Sequence, residues 1–532
     1  MPEYLSPGVY VEEIELGPRP IEGVSTSTAG FLGETLRGPD DIRFITGFEE
    51  FKRLYGGYVP IDASTLPFAI DGFFKNGGQR CFVARITSPD AVFMTADHDA
   101  KIRFRAIGPG TWGNRIAAKI EKATLQVVGE PDRFKLTVMY WDENVAPPTD
   151  PPVDPTLTST LTDVNRREPT LLEVYDNLSV VSTSIDFFET TVNGSSSLVR
   201  VDHIADPTQP LTTPAVKPLA MLAAGGVAGS NGAKVVQGDY IGRTRDTFPP
   251  DNTSYKTGLL GFEQVDEIAI VVAPDYHEID PDFTDIITHC AKMRDRFAIT
   301  HSNPTTDTLA NVQNVTPPPD TTFAAFYFPW IRVYNPLIFQ DSLVPPSGHV
   351  AGIYAKTDVE RGVFKAPANE IVVGARSLQF QITKENQDLL NPKGVNCIRV
   401  FPGRGILLWG ARTCSRNTLW KYVSVRRYFL YVGESIDEGT QWVVFEPNDE
   451  RLWARVNQTI TQFLITEWRN GALMGTKPAE AFFVKVDRTT MTQNDIDNGR
   501  LICIIGLAVV KPAEFVIFRL TQFQGGSDIT EI

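Results

Sequence analysis

With 532 residues, 42% hydrophobic and 21% charged, the chain has the composition of an ordinary folded protein and material for about two to four domains. A formal net charge of −14 argues against a general nucleic-acid binder, which needs a basic face. The longest apolar run, residues 501–510, falls well short of the roughly 18–20 residues that span a bilayer, so no direct membrane insertion is expected. Met1-Pro-Glu-Tyr has no basic stretch leading into an apolar core, and no signal peptide is read there. Five scattered cysteines (Cys81, Cys290, Cys397, Cys414 and Cys503) form no CxxC pair and read as buried, reduced thiols of a protein made in the cytosol.

Residues 1–20 carry prolines at 2, 7, 18 and 20 and little to pack on, and read as an extended arm whose segment 8–16 (GVYVEEIEL) has strand character. Residues 28–34 read as a strand and 48–55 as a helix. A second helix follows at 67–76, with Phe68, Phe73 and Phe74 spaced for one face, and then a strand at 81–86. Asn76-Gly77-Gly78 suits a helix C-cap. From about 90 to 254, short alternating strands such as 135–141 are separated by turn-rich loops. One of these, APPTDPPVDP at 146–155, has a proline density that favours extended, solvated chain. This stretch reads as a mostly β domain inserted into an α/β core.

The core resumes with a buried strand at 267–275 and a helix at 283–297 carrying Ile286, Ile287, Cys290, Met293 and Phe297 on one face. A strand at 323–333, a helix at 348–360 and part of another at 387–390 follow. Strand–helix alternation implies a largely parallel sheet covered on both faces. After Asn396 come strands at 398–401 and 406–413. The strongest helical pattern is 448–470, where Leu452, Trp453, Val456, Ile460, Phe463, Leu464 and Trp468 form an apolar stripe; Asn448 or Asp449 caps its start and Gly471 follows its end. The chain closes on three β runs, 481–487, 500–510 and 514–523, with a polar loop at 495–499 between the first two. The last run, like 8–16, reads as an edge strand that needs a partner. Two edge-seeking segments on one chain point to strand exchange between copies.

Motifs for chemistry are weak. The run AAGGVAGSNGAK at 223–234 places Lys234 after an alanine and before a valine, so the glycine and hydroxyl of a phosphate-binding P-loop are both missing, and a structural turn is the better reading. The six histidines show no HExxH and no close cysteine partners, and no metal site is expected. His289 and Cys290 are adjacent, but a helix turns His289 about 100° away from the apolar face that Cys290 occupies. No GxSxG elbow occurs. GVFKAPAN at 362–369 and FPGRGILLWGART at 401–413 combine glycines, prolines and aromatics with single basic residues, and read as tight loops at packed or intersubunit contacts, with Lys365 and Arg404 the only candidate ligands.

Taken in order, these segments resemble the sheath protein of contractile phage tails and related contractile injection systems. The resemblance rests on YLSPGVYVEEI (4–14), RPIEGVSTST (19–28), GGVAGSNGA with GDYIG (238–242), TGLLGFEQVDEIAIVVAPD (257–275), CAKMRDRFAI (290–299), GVFKAPAN, LWGARTCS (408–415), RRYFLYVGESIDEGTQWVVFEPND (426–449) and DIDNGRLICIIGLAVVKPAEFVIFRLTQ (495–522). The opening is similar to sheaths of the antifeeding-prophage and Photorhabdus virulence cassette kind.

The resemblance implies an α/β and α+β multidomain tail-sheath fold. Its parts are an N-terminal arm (1–20), a middle α/β domain (21–90 and 255–395), an inserted outer β-rich domain (91–254), a tube-facing C-terminal domain (396–510) and a C-terminal arm (511–532). It also implies that the arms, Gly8, Val9, Tyr10, Val11 and Ile14 at one end and Glu514, Phe515, Val516, Ile517 and Phe518 at the other, insert as strands into the C-terminal domains of neighbours. The acceptor is then the hairpin holding Phe482, Val484, Ile502, Ile504 and Leu507. Arg451, Arg455 and Arg469, on the 448–470 helix, are the candidates for facing an inner tube. The implied subunit is non-enzymatic and cofactor-free: stacked six-fold rings around an inner tube protein, with baseplate and terminal cap proteins as further partners, contract to drive the tube through a target membrane. No nucleic-acid partner is implied. Such a particle is a phage tail or phage tail-like assembly made in the bacterial cytoplasm, in some systems released outside the cell. The alternative is a hydrolase or nucleotide-using enzyme built on the central sheet.

Overall fold

The computed structural model describes residues 20–126, 131–143, 145–204, 212–246, 254–307 and 309–519. Nine strands form its central sheet, in the spatial order Glu370–Ile371, Gly405–Trp409, Val395–Phe401, Ala324–Phe328, Phe297–His301, Ile270–Val272, Ala29–Gly33, Cys81–Arg85 and Arg43–Ile45. Pairing is parallel through the middle and antiparallel at both margins. Parallel neighbours need crossovers, and these cover both faces with helices. Alternate side chains therefore enter different cores. Ile270 and Val272 meet Phe51, Phe73 and Tyr354 under helices Phe48–Tyr55, Leu66–Lys75 and Ser347–Arg361, while Val271 meets Phe262, Ile286 and Cys290 on the opposite face. The Leu66–Lys75 and Ser347–Arg361 helices approach so closely that a Cβ at Gly348 would collide with the backbone of Ala69.

Several elements depart from the sequence reading. The helix expected over 283–297 is Thr284–Met293: Arg294 adopts a left-handed backbone (φ 65°) and ends it, and Phe297 opens the next strand. The strand expected over 323–333 is two strands. Ala324–Phe328 lies in the central sheet, whereas Ile331–Asn335 pairs with Gln340–Val344 and Ala375–Leu378; Pro329 between them has no N–H to give a ladder. A domain boundary at 395/396 falls inside Val395–Phe401, which pairs with Ala324–Phe328, and Gly405–Trp409 continues the same sheet.

Residues 95–227 build a second unit of two four-stranded antiparallel sheets. One is ordered Lys217–Met221, Ile116–Lys122, Phe134–Tyr140, Leu171–Leu178; the other Gly226–Val227, Thr95–His98, Ile102–Ala106, Val199–His203. Phe104, Trp112, Phe134, Tyr140 and Phe188 fill the space between them. The proline-rich segment 146–155 has no regular structure, but Pro152 and Pro155 are buried, so it is not the solvated chain expected. Its Asp154 accepts from the buried Lys119 ammonium (2.9 Å), a charge that needs a counter-ion nearby.

The third unit is a helical cluster. Glu450–Arg469, capped by the Asp449 carboxylate on the Leu452 amide (2.9 Å), buries Leu452, Val456, Ile460, Phe463 and Leu464 against Val423–Gly439. Residues 20–28 thread between this cluster and the central sheet. Ile21 is buried in the cluster, the Val24 amide donates to Ser435 Oγ (3.1 Å), and Arg427 donates to the Thr26 carbonyl (2.9 Å).

Candidate assembly surface

Phe482–Lys485 and Ile504–Leu507 form an antiparallel pair running from Phe482↔Leu507 to Lys485↔Ile504. Among the described residues no third strand joins them, so neither edge is paired with another strand. The two-residue period divides the side chains. Phe482, Val484, Ile505 and Leu507 pack on the helical cluster, and the opposite face presents Phe483 and Ile504, which are 56% and 47% exposed. The Phe483 ring lies across Gly506, where a Cβ would collide with it. Asn457 of the long helix donates its amide to the Val484 carbonyl (3.0 Å) and ties the hairpin down. Of the five expected acceptor residues, Phe482, Val484 and Leu507 thus lie on the packed face and Ile504 on the open one. Ile502 precedes the ladder; its carbonyl accepts from Thr490 Oγ1 (2.9 Å). The polar loop expected at 495–499 is partly a short helix, Gln493–Asp497, closed by a reciprocal Thr492–Asp495 capping box.

Beyond the hairpin the chain forms no strand through residue 519. Phe515, Val516, Ile517 and Phe518 are 69–85% exposed. Glu514, read from sequence as the first residue of that strand, is instead an ionic anchor. Arg412 grips its carboxylate with Nε and Nη2, both at 2.7 Å. Asn391 Nδ2 (3.1 Å) and Tyr422 Oη (3.1 Å) add hydrogen bonds, and Lys421 Nζ lies 3.4 Å away. Partial burial pushes this carboxyl up, but the bonds from Arg412 and Asn391, the Arg412 charge and the Tyr422 hydroxyl outweigh it and bring it down to about 2. Glutamate in a strand-like run carries no sign of such a partner; the signal was Arg412, a basic residue just past an apolar strand. Gly8, Val9, Tyr10, Val11, Ile14 and residues 520–523 lie outside the described residues.

Arg451, Arg455 and Arg469 are exposed on the long helix. Arg455 lies over the Trp442 ring (4.5 Å) and 4.0 Å from Glu446, so it is partly occupied within its own chain. Lys365 reaches Glu370 (3.2 Å) and the Ala368 carbonyl (3.1 Å), and Arg404 donates to Asn369 (2.5 Å); both serve as ties between their loops. The glycine run 223–234 makes a short 3-10 turn and a strand edge, with Gly226 and Gly229 pressed against the backbones of Thr95 and Gly110. Close packing, not a phosphate, accounts for those glycines.

At the carboxyl ends of the parallel strands, where α/β enzymes place their sites, Asp275 accepts from Ser64 Oγ (2.8 Å), Thr65 N (2.9 Å) and Thr65 Oγ1 (2.5 Å) at the start of the Leu66–Lys75 helix. The Ser64 hydroxyl also donates to the Glu34 carbonyl (2.9 Å), and among the described residues no histidine bonds to it. His289, about 100° round the helix from Cys290, is buried against Arg296 (3.3 Å); burial first and Arg296 second push it down to about 4. Burial also raises the Cys290 thiol, leaving it a poor nucleophile.

Two family models match consecutive stretches: the phage tail sheath protein central domain over residues 250–414 and the phage tail sheath C-terminal domain over 415–523, together more than half of the chain. The chain belongs to the contractile tail sheath family. The seam between the two matches lies just past Gly405–Trp409, where the central sheet ends. The tail sheath protein of Vibrio phage KVP40 is 24% identical over 216 residues, 40% of this chain and 31% of that protein. That of Burkholderia phage BcepMu is 28% identical over 201 residues, 36% of this chain and 41% of that protein. The matches thus span about a third to two-fifths of these relatives. The same fold extends over almost the whole chain. The helical sheath of the anti-feeding prophage in its contracted state superposes with a TM-score of 0.55 at 24% identity, covering 98% of this chain and 99% of that one. The contracted PVC sheath complex of an extracellular contractile injection system gives 0.54 at 22%, again covering 98% and 99%.

Proposed function

We propose that this sheath-family chain is the mechanical subunit of a contractile sleeve. It polymerises as stacked six-fold rings around an inner tube, and the sleeve shortens to drive the tube through a target membrane, with a baseplate and a terminal cap bounding it. One observation carries the reading: a two-stranded sheet that no further strand joins among the described residues, adjoined in the same chain by a tail of four exposed apolar residues. Each is what the other lacks, and among the described residues the two do not pair. Strand addition between copies supplies main-chain hydrogen bonds of about 0.5–1.5 kcal/mol net each, and open head-to-tail exchange builds a lattice rather than a closed dimer.

In this reading the middle domain extends to about residue 414, the outer domain is the double-sheet unit, and the helical cluster with its hairpin faces the tube. Arg451 and Arg469 are the stronger candidates to meet acidic groups there, since Arg455 already has Trp442 and Glu446. In this reading the subunit's role is mechanical and needs no catalysis. The particle is assembled in the bacterial cytoplasm as a phage tail or tail-like device, and in some systems is released from the cell.

Deleting residues 2–16 from the purified chain tests this. Negative-stain images should show striated sleeves for the intact chain and their loss, or sleeves locked in one length, for the deletion. Unaltered sleeves with the deletion, or dispersed monomers from the intact chain under all conditions, would overturn it.

A further inference from the structure

We infer that Glu514 is a clasp that fixes where the C-terminal tail leaves the subunit, and that the clasp, not the hairpin, sets the direction in which residues 515–519 reach a second copy of this chain. The inference rests on the strand-exchange reading above and goes past it to a positioning residue.

Within 511–519 only Pro512 and Glu514 are partly buried, and both immediate neighbours of Glu514 are exposed. Tail apolar residues do not hold the tail; one carboxylate does. Its partners come from three places outside the hairpin: Asn391 follows the Lys384–Leu390 helix, Arg412 follows Gly405–Trp409, and Lys421 and Tyr422 precede Val423–Gly439. Arg412 is itself set into the frame. Its backbone exchanges two hydrogen bonds with the wholly buried Asn396 side chain (2.7 and 2.8 Å), and its Nη1 donates to the Asn391 carbonyl (2.6 Å). Asn396 also donates to the Phe326 carbonyl, so the guanidinium is registered to two central strands. The hairpin rides on the helical cluster, but the tail is returned to the central sheet before it exits. A bidentate, charge-assisted contact has one geometry, unlike a sliding apolar one. A tail pinned there can swing about residue 515 as neighbours move while its origin stays constant.

Amide hydrogen exchange of the full-length chain, with sedimentation and negative-stain microscopy of its assemblies, tests this on Glu514→Gln, Glu514→Ala and a truncation lacking 515–532. The glutamine and alanine variants should speed exchange of 511–515 by roughly tenfold or more, the loss of one charge-assisted contact. They should leave the helices 423–439 and 450–469 unchanged, and give fewer or irregular sleeves. Truncation should abolish sleeves. Unchanged exchange at 511–515 in both variants, or faster exchange with regular sleeves, overturns the clasp alone. Regular sleeves from the truncation overturn strand exchange by this tail, and the clasp's role with it.

Discussion

Arg427 joins the central sheet, the helical cluster and the segment 20–28 that threads between them. Its guanidinium holds Asp358 with both oxygens (2.9 and 2.7 Å), donates to the Thr26 carbonyl (2.9 Å) and lies over the Tyr354 ring (4.9 Å). Asp358 belongs to the Ser347–Arg361 helix on the central sheet, Arg427 to the helical cluster, and Thr26 to the segment 20–28. Both side chains of the pair are 3% exposed. Asp358→Asn keeps the shape but leaves the cation without its counter-charge, a loss of about 3–5 kcal/mol in buried pairs. That corresponds to roughly 150- to 5,000-fold more frequent local opening. Burial raises the Asp358 carboxyl and Arg427 only partly offsets this, so the figure refers to the ionised pair.

Exchange measured by mass spectrometry is the suitable assay, because a chain with several cores does not unfold in one step. Faster exchange should appear in 423–439, 347–361 and 24–28, and not in 102–106 of the double-sheet unit. The double replacement Asp358→Leu with Arg427→Met should recover most of the loss, since a packed apolar pair can stand in for a buried ionic one. Less than about a tenfold change in 423–439 for Asp358→Asn, equivalent to about 1.4 kcal/mol, would refute the pair as the weld between layers.

The Glu514 contact should be acid-sensitive. Its folded pKa lies below the ordinary value, so its contribution is complete above about pH 4.5 and is lost as pH falls toward about 2. The full value of such a shift is roughly 3 kcal/mol, and solvent screening of this partly exposed group lowers it to about 1–2 kcal/mol. Normalised to the intrinsic rate at each pH, exchange of 511–515 should therefore rise below pH 4.5 in the intact chain and stay flat in Glu514→Gln; parallel normalised profiles would contradict this. Gly229→Ala should cost about 1–3 kcal/mol through its collision with the Gly110 carbonyl and should loosen the double-sheet unit, read by near-ultraviolet dichroism of Trp112. An unshifted signal and melting profile would show that the turn can relax.

Most secondary elements were legible because their burial patterns are strong. The stripe from Leu452 to Leu464 and the run around Ile270 announce a one-sided helix and a two-sided strand. The helix Val423–Gly439 has no counterpart in the sequence reading, because Val423, Val425, Tyr428 and Val432 carry strand propensity and become helical only through the contacts they bury. The hairpin was legible as two β runs, but only the pairing shows that Phe482, Val484 and Leu507 face the cluster, that Ile504 faces outward and that Ile502 lies outside the ladder. Glu514 shows the limit most plainly. A 102-residue separation from Arg412 leaves no local pattern, and β propensity in Phe515–Phe518 masked the ionic contact beside it.

Photo-crosslinking from position 516 tests the strand-completion claim most directly. Val516→p-benzoylphenylalanine is placed in a nitrogen-15-labelled chain, which is assembled with unlabelled chain and irradiated, and the joined peptides are identified by mass. The account predicts mixed-isotope crosslinks from 516 into 482–485 or 504–507 of a different copy, present in sleeves and absent from monomers. Crosslinks confined to one copy, or intercopy crosslinks that avoid the hairpin, would contradict it.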